Sequence, residues 1–169
     1  MSELTEKRFE RFTLPAFRPI LFTLALSLVA SCSDQSLSSG TYRLSQVNFS
    51  RDECNISDKI PEGHEIDVRV LDSKIMIYML KDLTPPTGTM IGGTFTAFST
   101  READIIPKTD CRDMWIKKVS GKVVQKNVLA GTYEFTDKAL SGNDCADEEK
   151  IGFHGPVCTS SVTFRATKR

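Results

Sequence analysis

Glu65-Ile66-Asp67-Val68-Arg69-Val70-Leu71-Asp72-Ser73-Lys74-Ile75-Met76-Ile77-Tyr78-Met79-Leu80 is the stretch that decides the fold class. Ile66, Val68 and Val70 alternate with Asp67 and Arg69; beyond Asp72-Ser73, Ile75, Ile77 and Met79 alternate with Met76, Tyr78 and Leu80. A strand turns successive side chains to opposite faces, so two period-two runs joined by two turn residues predict a β-hairpin. Its first strand has one wet face. Its second is apolar on both, which places it centrally in a sheet or against a cavity.

The same pattern extends outward in both directions. Upstream, Thr41-Tyr42-Arg43-Leu44 alternates, and Val47 and Phe49 continue the apolar set on the opposite parity, which predicts a bulge near Gln46. Residues 51–63 read as a polar loop carrying Cys54 and Pro61. Downstream, the consecutive prolines of residues 83–88 (LTPPTG) lack ladder donors and break the sheet. Residues 89–100 predict a strand pair or bent strand turning at Gly92-Gly93, with Phe95 and Phe98 of opposite parity, so that at least one faces away from the main core. After a charged segment (101–113, with Pro107 and Cys111), residues 114–124 predict a strand with Trp115 near its start and Gly121 as a bulge or close backbone contact. A turn at Lys126-Asn127 returns the chain through residues 128–136, because Asn tolerates the positive φ of a tight hairpin. Residues 137–157 read as the longest irregular segment, and residues 160–167 close the chain with Val162, Phe164 and Ala166 on one face. Seven or eight short antiparallel strands indicate a single all-β domain over residues 40–169, either an up-and-down barrel or a sandwich.

Gly40-Thr41-Tyr42, at the start of the first strand, resembles the Gly-x-Trp opening of lipocalin-like barrels, with Tyr in the Trp position. The succession of hairpins ending in a terminal strand adds to the likeness. The resemblance implies a barrel that carries a small apolar ligand or lipid. Gly131-Thr132-Tyr133 repeats the same three residues later in the chain.

Residues 20–30 form an apolar run broken only by Thr23 and Ser27, 11 residues long where a hydrocarbon core takes about 20. That length belongs to a signal-peptide core. Lys7, Arg8, Arg11 and Arg18 supply a positive flank, diluted by Glu3, Glu6 and Glu10. The run ends in Val29-Ala30-Ser31-Cys32, which resembles the lipobox of bacterial lipoproteins: a branched apolar residue, two small residues and a cysteine. The resemblance implies cleavage before Cys32 and a diacylglyceryl group on its thiol, so that residues 1–31 are a signal peptide and 32–39 a lipidated, Ser-rich tether. Two or more acyl chains make stable anchoring. Partnership with a membrane through Cys32 is therefore expected, in the cell envelope. The resemblance also implies the outer membrane of a cell that has one, because Ser33 stands where an aspartate favours inner-membrane retention in such lipoproteins.

Four of the 22 Lys and Arg and three of the 22 Asp and Glu lie in residues 1–31, leaving 18 against 19 in the remainder. Such a balance offers no field to attract nucleic acid. With Cys32 assigned to lipid, Cys54, Cys111, Cys145 and Cys158 remain, and an even count in an exported protein predicts two disulfides with three connectivities. None of these has the close spacing of a structural zinc site. Cys145 and Cys158 flank one polar loop, which predicts a local pair and leaves Cys54 with Cys111.

The chemistry-bearing residues are few. His64 and His154 are the two histidines, and no Gly-x-Ser-x-Gly elbow accompanies them. Asp144, Asp147, Glu148 and Glu149 offer oxygens to calcium without the spacing of an EF-hand loop. No catalytic residue, metal site or cofactor is expected, and the chain reads as a non-enzyme. Two functions remain open: an envelope interaction or structural module whose partner is a protein or polymer, or a carrier of a small apolar ligand lined by Tyr78, Phe95, Phe98 and Trp115.

Overall fold

Among the described residues, eight strands follow one another around a closed antiparallel barrel, each paired with its neighbour in the chain and the last paired with the first. They are β1 (Gly40–Asp52), β2 (Glu65–Leu71), β3 (Lys74–Tyr78), β4 (Thr87–Ile91), β5 (Thr94–Ile105), β6 (Arg112–Gln125), β7 (Val128–Ser141) and β8 (Val157–Lys168). The computed structural model describes residues 36–169 except 81–83, 107 and 153–154, and except the side chains of 102–105. Cys32 and His154 lie outside the described residues. Closure through β1–β8 pairing, with Leu44 opposite Ala166 and Asp52 opposite Ser160, decides between barrel and sandwich.

Local sequence accounts for the turns. Leu71 pairs with Lys74 across Asp72-Ser73, Ile91 with Thr94 across Gly92-Gly93, and Gln125 with Val128 across Lys126-Asn127. Asp72, Gly92, Gly93 and Asn127 all take positive φ (54°, 56°, 75° and 54°), the backbone state that primed hairpin turns need. Gln46 also has positive φ, at 54°, and the β1–β8 register slips between Ser45 and Asn48, so the bulge expected there is present. It restores the inward aim of Val47 and Phe49, which pack on the core.

Three short hairpin turns lie at one end of the barrel, where the described chain begins at Ser36 and ends at Arg169. We call it the hairpin end. The opposite, loop end carries the longer connections of residues 53–64, 79–86, 106–111 and 142–156. The expected tether is partly built into the fold. Asn127 N–H donates to the Ser36 carbonyl at 2.9 Å, Ser38 N–H donates to Asn127 Oδ1 at 3.0 Å, Tyr42 hydroxyl donates to the Ser38 carbonyl at 2.7 Å, and Leu37 is buried against the core.

Inward positions are apolar through the hairpin half of the barrel. Tyr42 and Tyr133, the two tyrosines of the repeated Gly-Thr-Tyr, are both fully buried, with Leu44, Ile66, Val68, Ile75, Ile77 and Leu129 around them. In one row Phe95, Gly121, Gly131 and Phe164 are successive partners across β5, β6, β7 and β8. A Cβ on Gly121 would lie 2.3 Å from the Ala130 carbonyl oxygen and 2.9 Å from Phe95 Cζ, and one on Gly131 would lie 2.6 Å from the Ser120 carbonyl oxygen. The paired glycines thus make room for two inward phenylalanines. The outward positions of the same strands are mostly polar (Thr96, Lys118, Ser120, Thr132, Glu134, Thr163 and Arg165), the reverse of a membrane-spanning barrel, whose wall is apolar outside. Among the described residues no helix is long and apolar enough to cross a membrane.

The four cysteines form two disulfides, but not the pairs expected. Cys54 bonds Cys158 and Cys111 bonds Cys145. Neighbouring strand ends explain the correction: Cys54 follows β1 and Cys158 opens β8, whose Asp52 and Ser160 are partners, while Cys111 precedes β6 and Cys145 follows β7, whose Arg112 and Ser141 are partners. The polar loop between Cys145 and Cys158 holds α1 (Glu148–Ile151) and is not stapled at its base. A second correction concerns its start, since residues 137–141 continue β7 as regular strand.

Candidate functional site

Ile56, Ile60 and Met79 carry the apolar core into the loop end, but the inner surface of β5, β6 and β7 there is polar, and strand parity puts it there. On β6, Asp113, Trp115 and Lys117 share the inward parity of Val119 and Val123; on β7, Asp137 shares that of Tyr133 and Phe135. Trp115 stands directly across the ladder from Asp137 and, on its other side, from Arg101 of β5. Asp113 is 5% exposed and Lys117 only 1%. Three strands thus bring two carboxyls, two cations and an indole onto one inner surface.

The indole organises these charges. Its Nε1–H donates to Asp113 Oδ2 at 2.8 Å, the Lys117 Nζ lies 5.4 Å and the Arg101 guanidinium 5.6 Å from the ring centroid, and the Phe135 ring meets it edge-on at 6.1 Å. Cations at these distances are attracted by the ring quadrupole. Burial pushes the Asp137 carboxyl up to about 7, and the neighbouring Asp113 adds to the rise. Asp137 Oδ1 is buried without a hydrogen-bond partner among the described residues. An acid held near neutrality changes between donor and acceptor over the physiological range, so the cluster can hold one proton that the same residues in water would release.

The loops that rim this end are tied to the barrel by backbone-directed carboxylates. Asp52 accepts from Ile56 N–H at 2.8 Å, Ser57 N–H at 3.1 Å and the Ser160 hydroxyl at 2.9 Å. Burial alone would raise its carboxyl, yet these hydrogen bonds, the Ser57 side chain included, outweigh it and hold the group below its ordinary value. Asp110 accepts from Asn143 N–H at 3.0 Å and Asp144 N–H at 2.7 Å, and Asp144 Oδ2 accepts in return from Asp110 N–H at 3.1 Å. The Lys150 ammonium bonds the other Asp144 oxygen and, with the Asp110 backbone, lowers the Asp144 carboxyl. Asp144 is thereby engaged inside its loop. Among the described residues no group of three or more His, Cys, Asp or Glu side chains is placed to hold a metal ion.

The four candidate ligand-lining residues separate. Trp115 lies in the polar cluster. Phe95 is core, buried beside Gly121. Phe98 points out of the wall and is 52% exposed, and Tyr78 also faces outward, with the Arg69 guanidinium 5.2 Å from its ring centroid. His64 Nε2 is 2.9 Å from the Met79 carbonyl oxygen, a tie between two loop-end segments. An open depression of about 580 Å³ lies on the outer wall beside Gln46, Asn48, Lys122, Thr132 and Arg165. Sequence reasoning passed over Asp113, Lys117 and Asp137. Their signal was parity: each falls in step with the apolar residues of its own strand.

No protein-family model matches this chain, and neither does any curated protein or solved structure.

Proposed function

We propose that the protein is a lipid-anchored lipoprotein of the bacterial cell envelope whose barrel is a non-enzymatic interaction module, with the loop end as its recognition surface. The observation that carries this reading is the opposition of the two ends. Ser36, four residues after Cys32, is fastened at the hairpin end, while both disulfides and the Asp52 and Asp110 ties stiffen the loops at the other. A lipidated Cys32 would hold the hairpin end toward the membrane and present the loop end to the envelope. Loops held on a rigid scaffold are where binding residues concentrate.

The packing of Tyr42, Tyr133 and the aliphatic side chains around them supports this reading over carriage of an apolar ligand, since these side chains occupy the apolar half of the interior. At the loop end Ile56, Ile60 and Met79 pack on the same core, and the charges around Trp115 make the remaining inner surface a poor home for an apolar molecule.

Radiolabelled palmitate fed to bacteria expressing the full chain tests the anchor: label is expected on the wild type and absent from Cys32→Ser. A photo-crosslinking residue at Glu149, at the loop end, is expected to give a discrete adduct in cells that the same residue at Ser73 does not give. Native mass spectrometry of the mature protein is expected to find it bare. A small apolar molecule released on denaturation would replace this reading with that of a carrier.

A further inference from the structure

Charge is unevenly distributed along the barrel, and the two most exposed large apolar side chains share one end, Leu140 and Val157 at the other end being less exposed at 46% and 42%. At the hairpin end, Leu71 and Ile91 are 65% and 75% exposed, each the last residue of its strand before a turn. Lys74 and Lys126 are exposed on the turns beside them, Lys122 and Lys168 stand just behind, and Asp72 is the one acid of the three hairpin turns. At the loop end, the segment Asp144, Asp147, Glu148 and Glu149 carries the opposite sign, with Lys150 held among them by Asp144. Since Lys and Arg equal Asp and Glu over the whole chain, this is a segregation of charge and not an excess.

Two aliphatic tips ringed by lysines on the rim of a barrel with a mostly polar wall match the surface of an anionic bilayer. Aliphatic side chains enter the headgroup boundary while ammonium groups meet phosphates, and attraction to anionic lipid adds with each lysine. The described chain also begins at this rim: Ser36 is bonded to Asn127, the neighbour of Lys126. We propose that the hairpin end is a membrane-docking rim, on which Leu71 and Ile91 insert among anionic phospholipid headgroups contacted by Lys74 and Lys126. The proposal deepens the lipoprotein reading and rests on it for its biological orientation, but the affinity of the rim belongs to the barrel and not to acyl chains. Docking stands the barrel end-on and holds the loop end away from the bilayer.

The test uses the barrel without lipid. Residues 32–169 form one compact unit that holds the closed sheet, the core and both disulfides, so the unit carries what its folding needs. It is secreted to an oxidising compartment as Cys32→Ser and mixed with phosphatidylcholine vesicles with and without phosphatidylglycerol. Sedimentation is expected only with phosphatidylglycerol and is lost as salt is raised. Lys74→Gln/Lys126→Gln is expected to weaken partitioning about thirtyfold, and Leu71→Ser/Ile91→Ser to weaken it as well. Lys59→Gln/Lys108→Gln, which removes the same charge from the loop end, is expected to leave it unchanged. Melting curves and non-reduced masses establish that each variant is folded with two disulfides. Equal partitioning onto both vesicle types, or an equal loss from the loop-end variant, would overturn the proposal. The palmitate label on the full chain fails or succeeds independently of either result.

Discussion

Asp137 stands directly opposite Trp115 across the β6–β7 ladder, while the indole gives its N–H to Asp113. Burial and the neighbouring Asp113 carboxyl raise Asp137, and the lowering effect of the Trp115 N–H on it is too small to offset them. Asp137 is thus an acid whose ionisation the barrel opposes.

A stability change with pH follows from this. The folded carboxyl titrates at about 7 and the unfolded one near its ordinary value of 3.8, so the folded state retains the proton longer. Stability contributed by the protonated form is complete below the unfolded value and is lost as pH rises through that window. Asp137→Asn removes the titration. Its advantage over wild type, read as the difference in urea midpoint, is expected to grow between about pH 4 and pH 7 and to be level above. A difference independent of pH would show that Asp137 does not titrate in this window.

The two disulfides are expected to differ in strength. Cys54–Cys158 closes 104 residues and Cys111–Cys145 closes 34. In the chain-entropy account the first contributes about 5 kcal/mol and the second about 4 kcal/mol. Urea unfolding of Cys54→Ala/Cys158→Ala and of Cys111→Ala/Cys145→Ala, under conditions that keep the remaining bridge oxidised, measures both. A smaller loss from the longer loop would contradict that account.

Gly121→Val is expected to destabilise the barrel by about 1–3 kcal/mol, the usual cost of forcing extra methyl groups into a packed core. The obstacles are the Ala130 carbonyl, the Gly131 Cα and the Phe95 ring, and only the ring can yield. Gly121→Val/Phe95→Leu should therefore recover part of the loss in a thermal melt; no recovery would place the conflict wholly at the backbone.

Tyr42→Phe tests the fastening of the amino-terminal segment. Deleting the hydroxyl removes its bond to the Ser38 carbonyl, at a cost of about 1 kcal/mol, and leaves the ring in place. Amide exchange is expected to accelerate at Asn127, whose N–H is held by Ser36, while amides in the β6–β7 ladder stay protected. Uniform acceleration would mean that Tyr42 supports the whole core and not this segment in particular.

Much of the fold was legible locally. The alternation of residues 66–79, the turns at 72–73, 92–93 and 126–127 and the bulge at Gln46 were readable because side-chain direction and positive φ are properties of a few adjacent residues. Outward Phe98 and inward Phe95 also follow from parity, once one of them is known to face the core. The candidate site was harder. Trp115 drew notice as a large aromatic, whereas Lys117 and Asp137 look like ordinary surface charges until the strands beside them are known.

Sequence alone determined that this chain is all-β, where its three short hairpins turn, and that four cysteines pair in two bridges, since alternation, turn chemistry and an even thiol count are set by neighbours along the chain. Only the tertiary structure decided that β8 closes on β1, that Cys54 finds Cys158 across 104 residues, and that Asp137 of β7 and Arg101 of β5 meet Trp115 of β6 on one inner surface. Those outcomes depend on which distant strands become neighbours, and a pairing between segments a hundred residues apart leaves no mark on either segment by itself.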